Sequence, residues 1–155
     1  MSVRGRLFRR REPDPLGDGV WRRAHDRFRR AVDRFHQVIE PVPPGPERDR
    51  LELVGASLAE SLDIVRAVCV RAQAQAPSSG LDVPRGPDGR APDLHRRLSR
   101  AGALAAQAAE AAAMCRVALR SAAADGRDAA DRRDAAERIA AAERAAGAVR
   151  ELVAG

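Results

Sequence analysis

Few side chains in this sequence could bind a metal ion: it has three histidines, two cysteines and scattered carboxylates. His25 and His36 are eleven residues apart, which is about 16 Å along a helix and too far for them to share one ion. No glutamate precedes a histidine by three residues, so the Glu-x-x-His pairs of a di-iron carboxylate bundle are missing. The sequence therefore predicts no metal site.

The candidates for nucleophilic catalysis are equally sparse. His95 and Ser99 are four residues apart and would touch on a helix. A serine inside a helix has no free backbone N–H groups to stabilise an oxyanion, and Asp93 is too close in sequence to orient the imidazole. Cys69 and Cys115 fall on apolar helix faces, where burial favours the unreactive thiol. We predict no catalytic residue, no cofactor and no small-molecule substrate, and therefore no enzyme.

The N-terminal segment 1–11 carries the one pattern suited to recognition, because it holds five arginines and no acid. The other residues hold 23 arginines and 22 acids, so nearly all of the net charge of +6 lies in this arm. Arginines in such an arm neutralise phosphates in a salt-dependent way. Leu7 and Phe8 among them also suit an anionic membrane surface. The arginines of the arm are Arg4, Arg6, Arg9, Arg10 and Arg11.

The first predicted helix extends this basic surface. Asp26 and Asp33 lie within one turn of several of its arginines, which allows ion pairs along the helix. Arg22, Arg23 and Arg30 are the helix residues that we add to the candidate anion or nucleic-acid contacts. The arginines of this helix are Arg22, Arg23, Arg27, Arg29, Arg30 and Arg34.

The elements that position these side chains follow from an apolar rhythm with steps of three and four residues. Such steps place side chains on one face of an α-helix. The rhythm occurs in four stretches, the first of which reads Trp21, Ala24, Phe28, Ala31, Phe35 and Val38. In the second stretch the stripe reads Leu51, Val54, Leu58, Leu62, Val65, Cys69 and Ala72, widened by Leu53, Ile64 and Val68. We expect this second stripe to be the richest apolar surface and the centre of the core.

Proline and glycine between the stretches set the expected bounds, with Asp18 as the N-cap of the first helix. We predict a basic arm at 1–16 and one helical domain at 17–155. The helices are expected at 18–40, 46–76, 92–124 and 128–154. The fold class is all-α: an antiparallel four-helix bundle, running up-down-up-down, with an Ala-rich second half, a flexible basic N-terminal arm and a long Pro/Gly loop between helices two and three. Because alanine favours helix, one continuous helix from 92 to 154 stays open as an alternative.

The predicted loop, residues 77–91, is long enough to be either a flexible connector or a partner-binding loop. Leu81, Val83 and Arg85 are its candidate contact residues. The seam between helices three and four could form a dimer interface instead of an internal one, because small residues allow close approach. The sequence has 33 alanines, 24 of them between Ala101 and Ala154.

Composition also indicates the type of genome that encodes the protein and its cellular compartment. Lysine, asparagine, threonine and tyrosine are absent, as expected of a high-GC bacterial genome. We find no secretory signal and no uncharged run long enough to cross a membrane, so we expect a cytoplasmic protein with free thiols.

The leading functional hypothesis is a non-enzymatic helical scaffold or adaptor that acts through a protein partner and forms homo-oligomers. The alternative is nucleic-acid binding without sequence specificity through the arm and helix one, and the third is peripheral association with anionic membrane. The sequence leaves the identity of the partner, the pathway and the oligomeric number open.

Overall fold

The computed structural model describes residues 14–125 and 128–155. These residues form four α-helices and no strand, which confirms the all-α prediction. The helices are α1 (Val20–Ile39), α2 (Pro46–Gln75), α3 (Ala91–Asp125) and α4 (Asp128–Ala154). Residues 1–13, which hold most of the predicted arm, lie outside the described part. The arm was expected to reach residue 16, but Leu16 is buried in the core, so the folded body begins earlier.

Contacts at the helix ends give the directions of the helices. The indole N–H of Trp21, at the start of α1, donates a hydrogen bond to the carbonyl of Ala76, just past the end of α2 (2.8 Å). These two helices therefore run in opposite directions. Near the start of α3, Arg97 donates to the carbonyl of Leu152 at the end of α4 (2.9 Å), so these two helices also run oppositely. The segment 92–154 is accordingly two helices packed on each other.

The neighbours within the bundle do not follow the chain order. The ring of Trp21 meets that of His95 edge-on, with centroids 6.1 Å apart, and Arg116 Nη1 lies 3.5 Å from the carbonyl of Val38. Helices α1 and α3 are thus parallel neighbours. Likewise α2 packs beside α4, whereas α2 and α3 meet only sparsely. Around the bundle the order is α1, α2, α4, α3, with α2 and α3 on a diagonal.

This diagonal explains the length of the connection at 76–90, which must cross the end of the bundle. Its first residues are fixed to α1: the N–H of Val20 donates to the hydroxyl of Ser78 (3.2 Å), and Ser78 N–H donates to Gln73 Oε1 (3.1 Å). Asp18 was expected to cap α1, but the N-cap position is Gly19, whose own side chain offers nothing. A Cβ atom at Gly19 would overlap Ser78, so this close approach requires glycine.

The core combines large side chains from α1 with small ones from α3. Trp21, Phe28 and Phe35 are fully buried. Facing side chains on α3 are also fully buried but are small, namely Ala101, Ala105, Ala108, Ala112 and Cys115. Large residues on one helix and small ones on its neighbour interdigitate at native density.

Two expectations about the core need correction. The stripe on α2 is narrower than predicted, because Leu53 is 72% exposed and Ile64 is 39% exposed. Ser61 takes the buried position, and the neighbouring Leu62 is only partly covered. The seam between α3 and α4 is closed within one chain, with Ala135, Ile139 and other inward side chains of α4 buried, so it is not available as a dimer interface.

The α2 stripe nevertheless gives a sharp stability test. Leu58 is fully buried, so Leu58→Asp should lower the free energy of unfolding by at least about 4 kcal/mol, through lost packing and an unpaired buried charge. Leu53→Asp on the same helix is the matched control and should change it by no more than about 0.5 kcal/mol, since Leu53 is exposed. Thermal and urea melting followed by circular dichroism measures both. Equal melting of the two variants would contradict this account of α2.

Candidate functional site

A row of arginines follows one edge of α1, on the side that faces α3. Arg27, Arg30 and Arg34 are spaced by three and four residues, so they share one helix face over about 10 Å. Asp26 and Asp33 lie beside this row near the middle of the solvent-facing side of α1, since they are four residues before and three residues after Arg30. Asp26 is 3.0 Å from His25 Nδ1 and 4.0 Å from Arg29. Neither acid makes a salt bridge with an arginine of the row within the described residues.

Helix α3 supplies a floor of small side chains beside the row. Arg27 lies over Gly102, where an added Cβ would stand 3.5 Å from Arg27 Cδ. The arginine stem thus lies close against the backbone of α3, as long cationic side chains do on apolar surface. The floor residues are Ser99, Gly102, Ala103, Ala106, Ala109 and Ala113.

Together these residues line a groove of about 510 Å³ between α1 and α3, called here the arginine groove. Glu110 is the one acid in its lining. Within the described residues, Arg27, Arg30 and Arg34 make no salt bridge with a carboxylate. The groove is therefore a shallow, mostly apolar surface with a positively charged wall.

The exposed side of α3 continues beyond the floor with two larger apolar side chains. Met114 is 43% exposed and Val117 is 46% exposed. Each follows a groove-lining residue by four positions, Glu110 and Ala113 respectively, so both extend the same helix face. Such side chains at one end of a groove add apolar area that a partner can cover.

The candidate anion contacts of the sequence do not form one surface in the structure. Arg22 pairs with Asp14 and donates to the carbonyl of Gly17 (2.6 Å), which holds the segment before α1 against the helix. Hydrogen bonding from Leu16 N–H, and then from Arg22, lowers the pKa of Asp14. Arg23 donates to the carbonyl of Gly80 (2.7 Å). Only Arg30 of the three lines the groove. The arm residues Arg4, Arg6, Arg9, Arg10 and Arg11 lie outside the described part.

The three candidate contact residues of the predicted loop differ in their exposure to solvent. Leu81 is 78% exposed and Arg85 is exposed, whereas Val83 is half-buried against the core. A cavity of about 440 Å³ lies between this loop and the ends of α2 and α3. Its lining mixes Trp21, alanines and the charged residues Asp88, Arg90, Asp93 and Arg97. No nucleophile is among these residues.

The two cysteines and two of the histidines pack against neighbouring side chains. Cys69 and Cys115 are buried and free, and burial raises the pKa of Cys69 to about 12 and that of Cys115 to about 11. Both are therefore protonated and unreactive at neutral pH. His25 is buried beside Asp26, and His36 lies edge-on to Phe35.

Across residues 14–125 and 128–155, no three histidine, cysteine or carboxylate side chains are gathered where an ion could bind. None of the helices described combines the length and the apolar character needed to cross a bilayer.

No protein-family model, curated protein sequence or solved structure matches this chain. The arginine groove is therefore the feature of this chain that indicates a function. Sequence reasoning selected Arg30 but left Arg27 and Arg34 out of the candidate contacts. The signal that could have found them is the spacing of residues 27, 30 and 34 by three and four positions, which places them on one helix face.

His95 gives a testable pH dependence at the end of the groove. Burial, and then the nearby charge of Arg27, hold the pKa of His95 below its usual 6.5. The unfolded chain therefore takes up this proton more readily than the folded protein does. This contribution to stability is complete above about pH 6.5 and is lost as the pH falls through the lower pKa of the folded state.

We expect the melting temperature of His95→Gln to fall less than that of the native sequence between pH 7 and pH 5.5. Ala136→Gln, at an exposed position on α4, introduces the same side chain without removing an imidazole; it is the control and should keep the native pH dependence. Calorimetry across this range measures the difference. Identical slopes for His95→Gln and the native sequence would contradict the assignment.

Proposed function

We propose that this chain is a non-enzymatic helical scaffold or adaptor that acts through protein–protein contacts, with the arginine groove as its docking surface. The finer architecture belongs to the same proposal: a four-helix bundle of two antiparallel hairpins, α1–α2 and α3–α4, that carries a basic N-terminal arm. Self-association is part of it, because the small side chains of α3 leave apolar surface for a partner to cover.

The single observation that carries the proposal is the pairing of a small-residue floor with an unneutralised row of arginines. Alanine and glycine let a second helix approach closely, at the short end of the usual 8–10 Å between packed axes. An amphipathic helix in a groove is a common mode of protein recognition. The arginine row then selects for carboxylates on that helix, which supplies specificity that an alanine floor alone lacks.

Photo-crosslinking tests this role directly. With p-benzoylphenylalanine in place of Ala103, an exposed residue of the groove, we expect a discrete protein adduct in cells of the native host. The same probe in place of Ala136, exposed on α4, is the matched control and should give none. Arg30→Glu should remove the adduct at the groove, because it reverses the charge that the partner meets. Equal labelling at both positions, or none at either, would count against a docking groove.

Nucleic-acid binding is the second candidate, and the same row of arginines favours it. Arg27, Arg30 and Arg34 expose three cations along one helix, and phosphates are bound by such rows in a salt-dependent way. The arm arginines would add to this attraction.

Anisotropy of a fluorescent DNA duplex at low and moderate salt tests this candidate. We expect binding that weakens steeply with salt and is lost on deletion of residues 1–11. In the full-length chain, Arg30→Glu/Arg34→Glu should also weaken binding. Arg133→Glu/Arg144→Glu, at two exposed positions of α4, has the same charge change and is the control. No binding at low salt would exclude this candidate and leave the protein-docking role.

A further inference from the structure

The outward face of α2 is acidic, and it is the counterpart of the arginine groove. Its buried residues, Leu51 to Ala72, lie on the opposite side of the helix. All four acids of the outward face are exposed and none is buried in the bundle. We call this surface the acidic face; its acids are Asp49, Glu52, Glu60 and Asp63.

Most acids of this face make no ion pair, although arginines border it. Arg66 follows Asp63 by three residues and lines the same depression, beside Arg22 and Arg29 of α1. Arg50 is turned toward α4, where it makes two hydrogen bonds with Glu143 (2.9 and 2.8 Å). Arg48 pairs with Glu52 (2.7 Å) and also donates to the carbonyls that end α1. Asp49, Glu60 and Asp63 make no salt bridge within the described part of the chain.

The acidic face also carries apolar side chains that the fold leaves uncovered. Leu53 is 72% exposed and Ile64 is 39% exposed, and helix periodicity places both at one edge of the acids, on the side toward α4. Between them, Ala56 and Ala59 are exposed as well. This face thus offers two large apolar side chains where the arginine groove offers small ones.

We propose that the acidic face of one copy of this chain docks into the arginine groove of a second copy. This inference rests on the proposed function, because it names the partner of the same groove. The two surfaces are complementary in charge and in side-chain size. Because both belong to the same chain, a second copy can occupy the groove without any other protein.

The dimensions of the two surfaces agree. The row from Arg27 to Arg34 spans about 10 Å, and the acids from Glu52 to Asp63 span about 16 Å along α2. All three arginines therefore fall within the length of the acidic row. Glu60 and Asp63 are three residues apart, as are Arg27 and Arg30, so two pairs can form in register.

The bundle geometry fixes the mode of assembly. Helix α2 lies diagonally across from α3, so its outward face points away from the groove of its own chain. A copy that docks by its acidic face therefore leaves its own groove open for the next copy. Contacts between two different surfaces of this kind are heterologous and produce a ring or a growing chain.

The floor of the groove favours a helix over a nucleic-acid duplex as the occupant. An alanine floor adds nothing to phosphate binding. A helix bearing leucine and isoleucine uses that floor, and it can place its carboxylates against the arginine wall.

Sedimentation velocity over a range of protein concentrations tests the assembly in the full-length chain. The groove variant is Arg30→Glu/Arg34→Glu, and the face variant is Glu60→Arg/Asp63→Arg; all four positions are exposed. The controls make the same charge changes at exposed positions of α4: Arg133→Glu/Arg144→Glu for the groove and Glu137→Arg/Glu151→Arg for the face. Circular dichroism verifies that every variant is folded.

We expect the native chain to sediment as species larger than a monomer, growing with concentration and shrinking as salt is raised. Each variant alone should associate at least about 100-fold more weakly, since it places like charges opposite each other. Mixing the two variants should restore association, because each reversed surface then meets one of opposite charge. The chain with all four substitutions should also associate with itself, whereas both controls should behave as the native sequence does.

A monomeric native chain at every concentration, or loss of association in the controls, would overturn the second copy as the occupant. The crosslink from position 103 then distinguishes failure of self-docking from failure of the docking function itself. An adduct with a different protein would refute self-docking and preserve the docking function, and the absence of any adduct would refute both. A duplex bound by the face variant but not by the groove variant, in a monomeric chain, would assign the groove to nucleic acid.

Discussion

Close helix approach is the constraint on which this structure depends. Alanine buries little area, so a helix lined with it gains stability only where a neighbour comes near enough to cover its backbone as well. The fully buried alanines of α3 meet this requirement between two neighbours, the aromatic side of α1 and the inward side of α4. Helix α3 therefore packs between α1 and α4, and α2 lies diagonally across from α3, where it packs against the same two helices.

The same small side chains shape the outside of the molecule. Alanine on the outward side of α3 leaves a depression beside α1, and the stems of the α1 arginines border it. The exposed acids of α2 lie on the outward face of that helix, apart from the arginines that border this depression. The part of the chain after residue 11 is nearly neutral in sum, yet it presents distinct positive and negative surfaces.

Much of this fold is legible in the sequence. Pro46 and the Pro/Gly segment before Ala91 mark two helix starts, and steps of three and four residues identify the inward faces of α1 and α4. Periodicity shows which face a helix buries but not against which helix, so the order around the bundle could not be derived. Near the edge of a stripe, periodicity is also ambiguous by one position. The sequence therefore placed Leu62 in the buried stripe, whereas the structure buries Ser61.

The site was harder to predict than the fold for a related reason. The spacing of Arg27, Arg30 and Arg34 is visible in the sequence, but their lack of carboxylate partners depends on the directions in which Asp26 and Asp33 project. The hydroxyl of Ser78 that receives the N–H of Val20 is 58 positions away along the chain. A contact of that separation has no local signal, because it arises only when the connection between α2 and α3 crosses the bundle.

The parallel packing of α1 against α3 also bears on how the chain is made. A ribosome delivers α1 and α2 first, and the alanines that cover Phe28 and Phe35 follow only after residue 100. At roughly 5–20 residues per second, residues 40–112 take about 4 to 15 s to emerge. For that interval the aromatic side of α1 has only α2 to shelter it. The nascent hairpin thus leaves apolar aromatic surface uncovered until α3 has been synthesised, and such surface favours aggregation.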